Sequence, residues 1–328
     1  MIFALSLTGP TASGKTALSL ALAERLGAEI ISSDSMQIYK GMNIGTAKAT
    51  AEEQARVKHH LIDFLDPRES YSVERYRTDA MCAIRDVHSR GRLPMLVGGT
   101  GLYVSALVRG SLEDSPESSP EFRESLLSLA ESDSGKEELW QRLLSVDPES
   151  AEKIHKNNVK RVIRALEIYE ATGRRKSELD RETRTAHTEV CVGMITLDFH
   201  SRDTLYSRVD KRVDIMMEEG LLSEVEGLYR EGMLLPETTA AQAIGYKELI
   251  EYIEGRSSLD CAVENIKLAT RRYAKRQLTW FRHVEGAKRI FADSDGGSMK
   301  SEEELLSEAL SLYGELLSDF KKKAAADA

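Results

Sequence analysis

The sequence predicts an α/β protein: a parallel sheet wrapped by helices on both faces, with an all-helical block inserted into it. Three observations predict this. Short apolar runs alternate with helical periodicities over the first hundred residues, only helical patterns occur between residues 113 and 188, and a β-branched strand resumes at 190. The expected core is therefore 1–112 together with 189–328, and the expected insertion is 113–188.

The elements follow in order. Residues 2–7 read as a buried strand ending at Gly9-Pro10. Residues 16–26 read as a helix, with Leu18, Leu22 and Leu26 at four-residue spacing, and 29–32 as a second strand. A helix over 77–90 stops at Gly91, and 93–97 is a strand that runs into Gly98-Gly99-Thr100-Gly101. Residues 111–120, rich in Ser, Pro and acids, read as a linker. Helices follow over 121–129, 137–144 and 159–172, the last with Asn158 as N-cap and Gly173 as stop. After the strand at 190–197, one long amphipathic helix is expected over 203–231 and another over 260–284. The tail from Lys321 is expected to fray.

With 328 residues, 41% of them hydrophobic, the chain is globular and too long for one small core. Cys82, Cys191 and Cys261 are odd in number and share no C-x-x-C spacing, which excludes a disulfide framework or zinc ribbon. No signal peptide or membrane-spanning run is evident, so a cytoplasmic protein is expected, most simply a monomer. The 45 Lys and Arg against 54 Asp and Glu leave a net charge of −9, which at face value disfavours nucleic acid. Net charge does not say where the charges sit.

Gly9-Pro10-Thr11-Ala12-Ser13-Gly14-Lys15-Thr16 fits G-x-x-x-x-G-K-[ST] between a predicted strand and a predicted helix, the context that makes a P-loop. Its amides and the helix N-terminus would cradle a phosphate, Lys15 would neutralise the terminal oxygens, and Thr16 would ligate Mg²⁺. The expected fold is thus P-loop NTPase-like. The loop indicates a diphosphate or triphosphate without saying what is done with it.

Asp34 follows the second strand at the sheet's carboxyl edge, where ligands of open α/β sheets bind. It reads as a general base, a turn-forming Asp, or a residue behind the Mg²⁺ ligands. Thr100 could donate to a leaving or bridging oxygen, or could cap the next helix. His59-His60 read as packed or surface histidines, because adjacent residues share no face.

Two basic clusters stand out in this acidic chain. One holds Lys153, His155, Lys156, Lys160, Arg161, Arg164, Arg174, Arg175 and Lys176. The other holds Lys267, Arg271, Arg272, Lys275, Arg276, Arg282, Lys288 and Arg289, interleaved with Tyr273, Trp280 and Phe281. Either could be a solvated face; together, with aromatics, they suit single-stranded RNA.

The ordered set of the phosphate loop, Ser33-Asp34-Ser35-Met36-Gln37-Ile38-Tyr39, Gly45-Thr46-Ala47-Lys48, His59-His60-Leu61, Gly98-Gly99-Thr100-Gly101-Leu102-Tyr103, Lys160-Arg161-Val162-Ile163-Arg164-Ala165-Leu166-Glu167, Ala243-Ile244-Gly245-Tyr246 and Lys275-Arg276-Gln277-Leu278-Thr279-Trp280 resembles the tRNA dimethylallyltransferases. The resemblance implies transfer of a dimethylallyl group from dimethylallyl diphosphate to N6 of the adenosine 3′ to the anticodon, on a base flipped from its stack. It implies Asp34 as the base and Thr100 at the bridging oxygen. Residues 9–16 would hold the diphosphate with Mg²⁺, helped by Arg208 or Arg212. The implied tRNA contacts are Asp34, Ser35, Met36, Gln37, Thr100, Arg123, Lys160, Arg161, Val162, Ile163, Arg164, Gln242, Ala243, Ile244, Gly245, Tyr246, Lys247, Lys275, Arg276, Gln277, Leu278, Thr279, Trp280, Phe281 and Arg282. Ala49 stands where relatives commonly carry Pro. The rival expectations are a prenyltransferase of free adenine nucleotides, a small-metabolite kinase, and a non-enzymatic RNA-binding module.

Overall fold

The computed structural model describes residues 1–108, 119–185 and 189–326. Two compact units result, one holding the chain up to Val108 and from Glu189 onward, the other the stretch between them. The first unit begins β1 (Ile2–Thr8), α1 (Lys15–Leu26), β2 (Ala28–Ser32), α2 (Ala51–Arg56), β3 (His59–His60), α3 (Val73–Ser89), β4 (Leu93–Gly98) and α4 (Gly101–Val108). The second unit holds α5 (Pro120–Leu129), α6 (Asp133–Val146), α7 (Pro148–Lys153), α8 (Val159–Thr172) and α9 (Lys176–Thr185). The chain then returns with β5 (Val190–Asp198), α10 (Arg202–Glu218), α11 (Leu221–Arg230), α12 (Tyr246–Ile253), α13 (Leu259–Arg282), β6 (Lys288–Phe291) and α14 (Glu302–Ala326).

The six strands are all parallel and lie in the order β3-β2-β4-β1-β5-β6. Every residue of β1 and β2 is buried, as a sheet covered on both faces requires. On one face α1 and α14 pack Leu18, Leu22 and Leu305 onto Leu5, Leu7 and Ile195. On the other, α3 and α4 bring Tyr76, Ile84, Tyr103 and Leu107 against Ala4, Ile31 and Leu96. A separate core joins α10 to α13 and holds Ile38, Tyr39 and Met42 of the segment after β2 and Leu65 after β3. The connection leaving β1 runs to one side of the sheet and that leaving β4 to the other. These neighbouring strands therefore flank a switch point, the place where such sheets form a crevice.

Several expectations change. The single helix expected over 203–231 breaks at Gly220, whose φ of 101° lies in the left-handed region and starts α11 afresh. The tail expected to fray is helical to Ala326, continuing α14 through residues of good helix propensity. Lys288 and Arg289 lie on β6, with Lys288 paired to Glu315 at 3.0 Å. Residues 111–118 of the expected linker, and the expected unit ends at 113 and 188, fall outside the described residues, while Ser119 and Pro120 cap and open α5. Gly173 ends α8 at φ 67°, but Asn158 makes no side-chain cap bond. Among the described residues no helix is long and apolar enough to cross a membrane.

His60 lies on edge strand β3, and its Nε2 meets Glu29 Oε2 at 2.7 Å; His59 Nδ1 meets the Val57 carbonyl at 2.7 Å. Glu29, buried on β2, also takes both Arg90 nitrogens. Arg90 foremost, with His60, holds the Glu29 carboxyl down to about 2 from an ordinary 4.5. A lowered carboxyl contributes stability above its unfolded pKa and loses it as pH falls through the folded one. Glu29→Gln should therefore cost roughly 2 kcal/mol near neutrality, and urea unfolding should show the gap from wild type closing between pH 4.5 and about 2. A pH-independent gap would dissociate Glu29's charge from the stability.

Candidate active site

The loop after β1 takes its shape from two glycines. Gly9 has φ 146°, and a Cβ there would meet the Leu197 carbonyl oxygen at 2.9 Å; Gly14, at φ 89°, is the N-cap of α1. Lys15 folds back over the loop and donates to the Gly9 and Pro10 carbonyls at 3.0 and 2.5 Å. Burial pushes its ammonium down to about 7, opposed by the Asp34 charge and reinforced by Arg212. Arg208 Nε donates to the Ala12 carbonyl at 2.8 Å. Two buried polar atoms, Ser13 Oγ and Arg212 Nε, have no hydrogen-bond partner among the described residues. Both arginines line the cavity with Lys15 and Thr16, so each of the two candidates reaches it.

The opposite wall joins the ends of β2 and β4. A Cβ on Gly98 would fall 2.4 Å from the Ser33 carbonyl carbon and oxygen, so only glycine lets these backbones meet. Thr100 N–H donates to the Ser33 carbonyl at 3.1 Å, and the Ser35 N–H donates to Thr100 Oγ1 at 3.1 Å. The Thr100 hydroxyl thus serves the neighbouring loop instead of capping its own helix. Asp34 Oδ1 accepts the Met36 N–H at 2.9 Å, a turn bond, and the group still lines the cavity. Burial raises its carboxyl above the ordinary 3.8, while the Met36 N–H, Lys15 and Arg212 oppose the rise.

The third wall is α13. Gln277 Oε1 accepts the Thr11 N–H at 2.9 Å, and its Nε2 donates to the Gly99 carbonyl at 3.0 Å. One turn earlier, Tyr273, read from the sequence only as an aromatic of the basic cluster, faces Asp34 and Thr100, and burial pushes its hydroxyl up. These walls enclose about 1510 Å³, all within the first unit. Sequence reasoning also missed Glu224. Its carboxylate accepts the N–H groups of Asn43, Ile44 and Gly45 at 2.9, 2.8 and 3.2 Å and the Tyr246 hydroxyl at 2.6 Å. Gln37 braces the same loop by donating to the Thr46 and Ala47 carbonyls, each at 3.2 Å. No local pattern marks Glu224; it looks like any helix-surface acid.

The segments expected at an RNA surface are largely helical, and a helix presents only some positions outward. Val162, Ile163, Ala243, Tyr246, Gln277, Leu278 and Phe281 are buried, and Gly245 is buried at the start of α12. Val162, Ile163, Leu278 and Phe281 pack into hydrophobic cores, which corrects their assignment to an RNA-facing surface, whereas Ala243, Gly245, Tyr246 and Gln277 line the cavity. Ser35, Met36 and Ile244 line the cavity, while Gln242, Lys247, Thr279 and Trp280 are exposed. Arg123 donates to buried Glu167 at 3.0 Å, and Arg164 lies 3.7 Å from the same carboxylate.

Ion pairing thins both basic clusters. Lys267 pairs with Asp214 at 2.7 Å, Arg271 with Asp210 at 2.6 Å and Arg282 with Asp198 at 2.6 Å. In the second unit Lys153, Lys156, Arg174, Arg175 and Lys176 also have acidic partners. Among the described residues this leaves Arg272, Lys275 and Arg276 of α13, and Lys160 and Arg161 of α8, without an acid. Arg276 lies 5.6 Å from the Tyr273 ring centre. Among the described residues, no three His, Cys, Asp or Glu gather as a metal cage.

The family profile "IPP transferase" matches residues 37–284, and "Isopentenyl transferase" matches residues 3–68. The chain is 49% identical over 279 residues to the tRNA dimethylallyltransferase of Geobacillus thermodenitrificans, covering 84% of this chain and 86% of that one. It is 49% identical over 279 residues to the Bacillus subtilis tRNA dimethylallyltransferase, with 84% and 87% covered. A solved tRNA isopentenylpyrophosphate transferase from Bacillus halodurans superposes with a TM-score of 0.72 at 41% identity, over 99% of each chain. A eukaryotic dimethylallyltransferase acting on tRNA superposes at 0.74 with 33% identity, over 89% of this chain and 74% of that one.

The glycine row supplies a graded test. Gly98→Ala meets rigid backbone, whereas Gly101→Ala meets the Trp280 ring, whose 40% exposure leaves it room to swing. Gly98→Ala should lose about 1–3 kcal/mol and Gly101→Ala clearly less, as read from thermal denaturation of the two variants. Equal losses would show that the Ser33 contact does not set the cost.

Proposed function

The chain belongs to the IPP transferase family, and from that premise we propose that it transfers a dimethylallyl group from dimethylallyl diphosphate to N6 of the adenosine 3′-adjacent to the anticodon of tRNA. Diphosphate and N6-(dimethylallyl)adenosine are the products. The observation carrying this reading is that one cavity holds the phosphate loop and Asp34 together, with Thr100 Oγ1 bonded to the N–H of Ser35 in its lining. We read the working unit as a monomer, and a tRNA acceptor supports a cytoplasmic location.

In this reading the loop amides, Lys15, Thr16, Arg208 and Arg212 bind the diphosphate. Unpartnered Ser13 Oγ and Arg212 Nε sit where such a ligand would satisfy them. Mg²⁺ fits the same place, because Thr16 Oγ and diphosphate oxygens are the hard ligands it takes, and it would offset the leaving group's charge. Adenine N6 is a weak nucleophile, since its lone pair is delocalised into the ring. As the N–C bond forms, the allylic C–O bond breaks and its electron pair leaves with the diphosphate, whose bridging oxygen takes a hydrogen bond from Thr100. The N6 proton passes to Asp34, whose burial makes it a stronger base than an exposed aspartate. Arg272, Lys275 and Arg276, with exposed Trp280, support a nucleic-acid acceptor over a free nucleotide.

Purified protein with radiolabelled dimethylallyl diphosphate, Mg²⁺ and either unmodified tRNA or AMP should label the tRNA; label in AMP alone would sink the proposal. Asp34→Ala should lower transfer at least ~100-fold while tRNA binding persists, and near-normal turnover would remove Asp34 as the base. Replacing Lys275 and Arg276 by Ala should reduce the salt slope of tRNA binding by about 1 per charge. Lys267→Ala, which removes a cation already paired to Asp214, should change it less. If all three substitutions act alike, the unpaired cations are not the contact.

A further inference from the structure

We infer that Gln277 is a positioning residue for the transfer reaction, its amide fixing the spacing between the phosphate loop and the strand end that carries Thr100. The inference rests on the function proposed above. Gln277 is 5% exposed, and each end of its amide is spent on a different side of the cavity. Oε1 takes the Thr11 N–H of the loop at 2.9 Å, and Nε2 donates to the carbonyl of Gly99, the residue before Thr100, at 3.0 Å.

Only a primary amide on this length of side chain can do both. Glutamate keeps an acceptor for Thr11 but has no donor for Gly99, leucine has neither, and asparagine is a methylene short. Gly99 is shaped for the contact, because a Cβ there would lie 2.1 Å from Gln277 Nε2. The Thr11 N–H is committed to this bond, so the phosphate cradle falls to the amides that follow it.

The donor's leaving group would lie on one loop and the hydroxyl serving its bridging oxygen on the other. The separation of the loops therefore sets how well that hydroxyl meets the oxygen, and a misplacement of about 1 Å in such a site can cost ~100-fold in rate. A side chain that only filled space at position 277 would leave the rate per folded molecule unchanged when replaced by an apolar group of similar size.

The test compares wild type, Gln277→Leu and Gln277→Glu for kcat per folded molecule, KM for tRNA, thermal midpoint and affinity for inorganic diphosphate. Gln277→Leu should lose tenfold or more in kcat with KM for tRNA within twofold of wild type. Gln277→Glu, keeping one of the two bonds, should fall between them. A kcat for Gln277→Leu within threefold of wild type, after correction for folded fraction, would overturn the inference. If wild type itself transfers nothing to tRNA, the proposed function fails separately. Diphosphate affinity then decides, a more than threefold weakening in Gln277→Leu retaining the clamp and a smaller change discarding it.

Discussion

The proposed chemistry of this chain depends on a contact between two backbones, the Ser33–Asp34 peptide at the end of β2 and Gly98 at the end of β4. A parallel sheet holds neighbouring strands at a fixed separation, but the loops leaving them diverge unless something draws them together. Here the absent Cβ of Gly98 removes the obstacle, and the bonds from Thr100 N–H to the Ser33 carbonyl and from Ser35 N–H to Thr100 Oγ1 close the gap. Asp34, Ser35, Gly98 and Gly99 line one cavity as a consequence, with Thr100 bonded to Ser35 beside it. The Tyr76 hydroxyl, 2.8 Å from Ser33 Oγ, and the stacked Tyr76 and Tyr103 rings, 3.9 Å apart, brace the same junction from the layer beneath.

Charge shows the same economy of placement. A net charge of −9 describes a chain that repels polyanions on average. The local picture differs because acids are assigned individually to cations: Asp210, Asp214 and Asp198 each neutralise a base on α13 and leave the middle of that helix, Arg272 to Arg276, uncompensated. Ion pairs open to solvent contribute little stability, so the partly exposed pairs of Asp210 and Asp214 matter more for where positive potential remains than for holding the fold, whereas Asp198 is buried.

What could be read from the sequence follows the range of the interactions. The phosphate loop was legible because its glycines, lysine and threonine are contiguous and their geometry is local. Gly98 and Gly99 could be recognised as a close approach, though not what approaches: the partners are Ser33 and Gln277. Gln277 meets Thr11 across 266 positions, and Glu224 meets Asn43 across 181. Neither has a local pattern. Counting cations on α13 located a basic segment but could not separate neutralised from free ones. For the same reason the expected RNA contacts included Leu278 and Phe281, which the helical turn points into the core. The break at Gly220 was missed because the apolar spacing on its two sides stays nearly in phase.

The opposed shifts of Lys15 and Asp34 have one cause and a shared remedy. Burial disfavours charge on both, lowering the ammonium toward 7 and raising the carboxyl, and each partly restores the other. A diphosphate entering this cavity adds negative charge beside both groups. In the proposed reaction that would keep Lys15 protonated and push the Asp34 carboxyl further up, so the proposed base would strengthen as the leaving group is seated. The cationic arginines limit the rise, since Arg212 acts on Asp34 as well as on Lys15. Electrostatics would thus tie the two halves of the proposed reaction through groups that need not touch, and the backbone contact at Gly98 keeps the Asp34 loop in place for that coupling.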